Sequence, residues 1–252
     1  MRYYYDLHIH TALSPCGDND MTPNNVVNMS LLKGLDIIAV TDHNSMQNAA
    51  AVAEVGKRNG LIVVFGMEIE TAEEVHVVAL FPDGESAGRV QDIIHRHMNG
   101  IENREEIFGE QRILDDQDEL QGRVNQLLIT AVSLMIEEVF QIVTDAGGVC
   151  IPAHVDRDSH SVLSNLGMIP EDLPVRNIEI SRDCDRVTFL GANPGLKKYG
   201  ILRSSDAHYL WDISERENYI ETERQITDAG DVIALLKEPL GGSVQEEQEA
   251  LL

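Results

Sequence analysis

The sequence predicts an α/β protein in which strand–helix units repeat around a largely parallel sheet or barrel. Three observations carry this. Apolar runs near residues 3–9, 35–40, 61–65 and 75–81 alternate with stretches of helical character, leaving room for one helix between successive early strands. Residues able to bind metal or move protons fall just after those runs, the end at which βα barrels and open α/β sheets build active sites. The pattern then stops near Gly84 and resumes at Gly148, so one long segment interrupts it.

Taken in order, Tyr3-Tyr4-Tyr5 leads a short buried strand into Asp6-Leu7-His8-Ile9-His10-Thr11. A loop rich in Ser, Pro, Gly and Asn follows. Thr22-Pro23 opens a helix to about Lys33, with Thr as N-cap, Pro at the first helical position and Gly34 as the stop. Leu35 to Val40 is the second strand and ends in Thr41-Asp42-His43-Asn44. A helix from Gln47 to Arg58 leads to the third strand, Leu61 to Phe65, which runs into Gly66-Met67-Glu68-Ile69-Glu70. Val75 to Phe81 is a fourth strand with His76 at its start.

From about 85 to 146 the pattern predicts a helical insertion, with helices at Ser86 to Met98, Ile101 to Leu120 and Asn125 to Thr144. Its acidic middle stretch lies against or over the barrel mouth, or else forms ordinary outer helices with solvated faces. Strands resume at Gly148 to His154, Asn177 to Ile180 and Ile201 to His208. A last strand near Asn218 to Glu221 and a helix from Asp228 to Lys237 close a single domain over residues 1–240. Residues 241–252, poor in aromatic and β-branched side chains, are expected to be a loose tail.

Composition bounds the function. At 252 residues with 43% hydrophobic content, the chain supports a sizeable core. No apolar run reaches the length of a membrane span, and the charged, Tyr-rich start lacks a signal peptide's apolar stretch. Cys16, Cys150 and Cys184 are far apart with no CxxC pair, which suits free thiols in a reducing cytoplasm. The net charge of −24 argues against holding long duplex nucleic acid on a basic surface. It does not exclude a polyanionic substrate, because bound metal ions invert the local field.

His8 and His10 are two apart on a strand, so their side chains share a face. Two imidazoles so placed make half of a divalent-metal site. His95 and His97 have the same spacing on a predicted helix, where residues two apart diverge by about 200° and cannot share an ion. The metal-capable residues at strand ends are His8, His10, Asp18, His43, Glu68, His76, His154, Asp206 and His208, which include six of the nine histidines. Imidazole and carboxylate donors suit Zn²⁺, Mn²⁺ or Fe²⁺ in a working site better than a structural zinc. Nine donors suffice for two or three ions, with Glu68 the natural bridge. Asp42 is expected to orient an imidazole from behind.

His-x-His after the first strand, Thr-Asp-His after the second, Gly-x-Glu-Ile after the third, Pro-Ala-His later and Ser-Asp-Ala-His near the end together resemble the PHP (polymerase and histidinol phosphatase) domain. Within it the likeness is to stand-alone metal-dependent phosphoesterases of the TrpH type, over about residues 3–238 without the insertion. The resemblance implies a distorted (βα)₇ TIM-like barrel and two or three divalent ions. It implies one site of His8, His10, Glu68 and Asp206, a second of Asp18, His43 and His208, and a third of Glu68, His76 and His154. Asp18 stands where many relatives have His, and a harder oxygen donor shifts the expectation towards Mn²⁺, Mg²⁺ or iron.

The chemistry expected is hydrolysis of a phosphomonoester. Water held between ions about 3.5–4 Å apart ionises near neutral pH and attacks phosphorus in line. A histidine not fully committed to metal, His160 or His208, would protonate the leaving oxygen, and Arg157 and Arg182 would contact phosphate. A small nucleotide, a sugar or histidinol phosphate, or the end of a short RNA fits such a site. Two rivals remain. An amidohydrolase also opens with His-x-His but usually bridges its metals with a carboxylated lysine, and none of Lys33, Lys57, Lys197, Lys198 and Lys237 follows a predicted strand. A non-catalytic metal-binding module should have lost ligands, and here every expected position is filled.

Overall fold

The computed structural model describes residues 1–240, and the tail expected at 241–252 lies outside the described residues. The chain begins with strand β1 (Arg2–Ile9), helix α1 (Pro23–Leu32), β2 (Ile37–Val40), α2 (Ala49–Asn59), β3 (Ile62–Glu70) and β4 (His76–Phe81). Thr22 caps α1 by accepting the Asn25 N–H, and Pro23 holds its first position. Gly60, at φ 77, ends α2 in the left-handed conformation that glycine adopts without strain. Next come α3 (Gly84–His97), α4 (Glu105–Phe108), β5 (Arg112–Leu114), β6 (Leu120–Arg123), α5 (Ile136–Asp145) and β7 (Val149–Pro152). The remainder is α6 (Val162–Leu166), β8 (Asn177–Ile180), α7 (Arg186–Ala192), β9 (Gly200–Arg203), β10 (Tyr219–Glu221) and α8 (Ala229–Leu236), with single 3₁₀ turns after α7 and β9.

Strands β1, β2 and β3 pair in parallel, as do β8 and β9. Strand β4 is antiparallel to both β3 and β7. The reversal follows from length, because five residues between β3 and β4 make a turn, whereas a parallel return needs a crossover of a dozen or more. The Val155 N–H donates to the Glu179 carbonyl, joining the end of β7 to β8. A bridge between Ile9 and Ala207 joins the segment after β9 to β1. Strands β1, β2, β3, β4, β7, β8 and β9 thus make a distorted barrel, and β10 adds an antiparallel edge to β1. Reversing β4 brings its first residue, His76, to the end where the parallel strands finish.

Helix α8 closes the other end. Its Val232, Ile233 and Leu236 pack with Tyr5, Leu7, Val78, Leu80, Ile151 and Leu202, while Asn177, opening β8, donates to the Leu236 carbonyl. A larger apolar layer lies between the strands and the outer helices, including Ile38, Val40, Met67, Val52, Val90 and Val139.

The segment between β4 and β7 is less helical than its sequence predicts. Helix α3 is present, but the expected helix over 101–120 is one turn of helix followed by the β5–β6 hairpin. The acidic run is the reason. Asp115 accepts the backbone N–H groups of Gln117 and Glu119, and Asp118 sits at φ 63, so aspartate oxygens capture amides a helix would use. The expected helix over 125–144 is confined to α5, because residues 125–135 are irregular and bond to the barrel rim instead. Asn44 donates to the carbonyls of Leu128 and Thr130, and the Val132 N–H to that of Glu70. The segment does lie against the mouth, where Arg112 N–H bonds the Ala12 carbonyl and Ile129 lines the central cavity.

Candidate metal centre

Glu68 is the hub. It is buried near the carboxyl end of β3, and five imidazoles face its two oxygens. His76 Nδ1 lies 2.8 Å away, His154 Nε2 and His43 Nδ1 3.1 Å, and His8 and His10 Nε2 3.4 Å. Asp206 supplies the second carboxylate, with Oδ1 3.1 Å from His10 Nε2 and 3.4 Å from His8 Nε2. The Nε2 atoms of His8 and His10 are themselves 3.2 Å apart, both pointing into this space.

These residues fit divalent ions. The donor atoms of His8, His10, Glu68 and Asp206 lie within 4.8 Å of one another, as do those of His43, Glu68 and His76. His43 Nδ1 and His76 Nδ1 are buried against Glu68 yet are not aligned for a hydrogen bond. An orphaned buried polar atom costs about 1–3 kcal/mol, and a cation on which several donors converge removes that cost. Imidazole and carboxylate are the donors such an ion takes in a working site.

Buried groups behind the donors fix their orientation. His8 Nδ1 meets Glu179 Oε1 at 2.9 Å. His10 Nδ1 meets Ser14 Oγ at 2.9 Å, and Ser14 Oγ donates to Asp42 at 2.7 Å. Asp42, expected to orient an imidazole, acts through Ser14 and also accepts from Thr11 N–H and hydroxyl. Such partners typically change metal affinity 10- to 100-fold when removed.

Charge in the cluster is tightly shared. Burial disfavours ionised Glu68, yet His76, His8 and His43 hold its pKa well below the usual carboxylate range. Burial also opposes a charged His8, and Glu179, Glu68 and Asp206 more than reverse this, raising its pKa well above the ordinary value. His10 is raised to about 9, where Asp206 and Glu68 outweigh burial. His208 falls to about 4 through burial and the nearby His10. The backbone is strained here too, since Asn44, His154, His160 and Asp206 all have φ between 30 and 53. Left-handed positions for such residues cost on the order of 1–3 kcal/mol and gather at functional sites.

The residues expected from sequence divide unevenly. His8, His10, His43, Glu68, His76, His154, Asp206 and His208 converge. Asp18 does not join them, because its Oδ1 accepts the Asp20 N–H and holds a loop turn. Cys16 stands there instead, with Sγ 3.1 Å from His208 Nε2. Packing around that thiol, with Glu68 and Asp206, pushes its pKa up. Arg157 and His160 line the cavity, with Arg157 Nη1 2.7 Å from Asp206 Oδ2. Arg182 does not line it. Its Nη1 bonds the carbonyl and carboxylate of Asp212 at 3.3 and 3.4 Å. Glu70, beside His76 and His160, and Glu179 belong to the site although no motif marks them. His97 bonds Ser133 well outside it.

The cavity over this cluster measures about 330 Å³ and is lined by Cys16, His43, Glu68, Glu70, His76, Ile129, His154, Arg157, Ser159, His160, Asp206 and His208. Among the described residues no lysine lines it.

A βα barrel with such a cluster at its mouth carries its metal-capable donors at the end where barrel enzymes place their chemistry. The model of the PHP domain matches residues 6–159, and the chain belongs to that family. Over 81 residues it is 35% identical to the 5′-3′ exoribonuclease Rnm of Escherichia coli, covering 30% of this chain and 27% of that one. In fold it is similar to the lesion-specific endonuclease PfuEndoQ of Pyrococcus furiosus, at a TM-score of 0.67 and 18% identity over 94% of this chain and 56% of that one. A proposed metal-dependent phosphoesterase of Bifidobacterium adolescentis aligns at a TM-score of 0.57 and 18% identity, covering 94% and 96%. The aligned segments span 48% and 17% of the first two curated relatives it matches.

Proposed function

We propose that the chain hydrolyses a phosphoester at this centre, acting on a small phosphorylated molecule or the phosphorylated end of a short oligonucleotide. The observation that carries the reading is the convergence of five imidazoles and Asp206 on the single carboxylate of Glu68. Two or three divalent ions held by these donors would supply polarisation of the phosphoryl oxygens and a water acidic enough to attack near neutral pH. The protein's own part is positional. Glu179 and the Ser14–Asp42 pair hold the rings of His8 and His10 in place, so little reorganisation is left for the reaction itself.

Arg157 is half-exposed at the rim with one nitrogen on Asp206, which leaves N–H donors free to take a phosphate oxygen. His160 faces Glu70 with Nδ1 3.6 Å from Oε1, leaving Nε2 to pass a proton to the leaving oxygen. Burial and His76 lower its pKa, so it is mostly neutral at pH 7 and its protonated fraction falls as pH rises. A cavity of 330 Å³ is near the small end of ligand sites, roughly 300–1,000 Å³, which fits a phosphate and its first neighbouring group. The likeness to the 5′-3′ exoribonuclease supports including oligonucleotide ends. Among the described residues no helix is long and apolar enough to cross a membrane, and the three unpaired thiols suit a cytoplasmic setting.

The test measures bound metal, then phosphate release from mono- and bisphosphates and short 5′-phosphorylated oligonucleotides, with His8→Ala as control. Metal-dependent release lost in His8→Ala is expected. A protein without metal, or equal rates for both proteins, contradicts the proposal.

A further inference from the structure

We propose that Cys16 is a metal ligand, forming with His43 and His208 an outer site for a thiophilic divalent ion such as Zn²⁺. The inference rests on the metal reading above and names a ligand that the sequence assigned to Asp18. The donor atoms of His10, Cys16, His43 and His208 all lie within 4.8 Å of one another. A tetrahedral zinc with bonds of about 2.0–2.3 Å spaces its donors roughly 3.3–3.7 Å apart, so small side-chain shifts close the set.

His10 cannot complete this site while serving the inner one. Its Nε2 already faces His8, Glu68 and Asp206, and its Nδ1 is taken by Ser14. That leaves Cys16, His43 and His208, three protein donors with one position open to the cavity they line, as in catalytic zinc sites. The set is more than a cysteine near a histidine, since buried His43, whose Nδ1 lies 3.1 Å from Glu68 without a hydrogen bond, also offers a ring nitrogen within 4.8 Å of the Cys16 and His208 donor atoms. Gly17 fixes the geometry. A Cβ there would lie 2.3 Å from the Thr11 carbonyl oxygen, so the turn that presents Cys16 requires glycine next to it.

A thiolate changes which ion the outer site favours. Soft sulfur selects Zn²⁺ or Fe²⁺ over Mg²⁺, the reverse of what an aspartate would do. On binding, the metal–sulfur bond replaces S–H and the proton leaves to solvent.

The test is Co²⁺ substitution in the full chain. The wild type is expected to show a near-ultraviolet thiolate-to-cobalt charge-transfer band. Cys16→Ser should lose that band and bind one ion fewer per chain, while Asp18→Asn keeps both. Inner ions bound without the band, or a band that survives Cys16→Ser, overturns the proposal and leaves the hydrolase reading standing. Loss of all metal binding by the wild type overturns both. Should Cys16→Ser fail to fold, alkylation of the wild type followed by peptide mass spectrometry decides. Zn²⁺ should protect Cys16 and leave Cys184 reactive, and equal labelling with and without Zn²⁺ overturns the assignment.

Discussion

The pattern His-x-His occurs at His8 and His10 on β1 and again at His95 and His97 on α3, and the two pairs end in different surroundings. On the strand both rings point to one side, their Nε2 atoms 3.2 Å apart and each facing Glu68 and Asp206. On the helix the side chains part company. His97 bonds Ser133 near the surface, and His95 is half-buried with its pKa lowered by burial. Spacing becomes chemistry only when the backbone turns both residues one way and other chain segments meet them there. The strand pair is met by carboxylates from β3 and from the loop after β9. The helix pair belongs to no convergent donor group among the described residues.

Substitutions in the two pairs and their surroundings test that contrast. The largest effect is expected from Glu68→Gln, which removes the charge that holds five imidazoles together. Metal binding should be lost and phosphoester hydrolysis should fall by about 10³-fold or more, since metal ions supply several kcal/mol to such reactions. Metal analysis beside a rate assay checks this. Glu179→Gln comes next, expected to weaken metal affinity about 10- to 100-fold by loosening the His8 ring. A competition titration with a coloured chelator reads it directly. At the small end, His97→Ala should change rate and stability by no more than about twofold and 0.5 kcal/mol, whereas His8→Ala removes a ligand at identical spacing.

The strand pair should also give the metal-free protein a distinctive pH dependence. The His10 pKa is raised to about 9 from an ordinary 6.5, so the folded state binds its proton more tightly than the unfolded chain does. That contribution to stability is complete below pH 6.5 and is lost as pH rises towards 9. Thermal melts of chelator-treated protein should therefore show declining stability across this window. Zn²⁺ binding in the same window should release protons, because the ion takes the lone pair that carries them.

Much of the barrel was legible because strand and turn signals sit close together in sequence, as in Leu35 to His43 and Gly148 to His154. Most of the cluster was legible for the same reason, since each motif ends a strand and strand ends meet at one mouth. What escaped depended on loops and on distant partners. Asp18 and Cys16 share the loop between β1 and α1, and the tight turn at Gly17 sets Cys16 beside His208 while Asp18 accepts the Asp20 N–H. Glu179 lay within the short apolar strand Asn177–Ile180, where a carboxylate between two isoleucines was the available sign of a buried role. The hairpin at 112–123 leaves little trace in the sequence, because an acidic run has the composition of a helix and only the fold shows its aspartates accepting from their own backbone.

Anomalous diffraction from crystals of the metal-loaded protein would locate the ions themselves. Two or three strong peaks are expected at the mouth of the barrel, at least two of them flanking the Glu68 carboxylate, with His8, His10 and Asp206 around one. A map without peaks there, in crystals soaked with Zn²⁺ or Mn²⁺, would contradict that expectation.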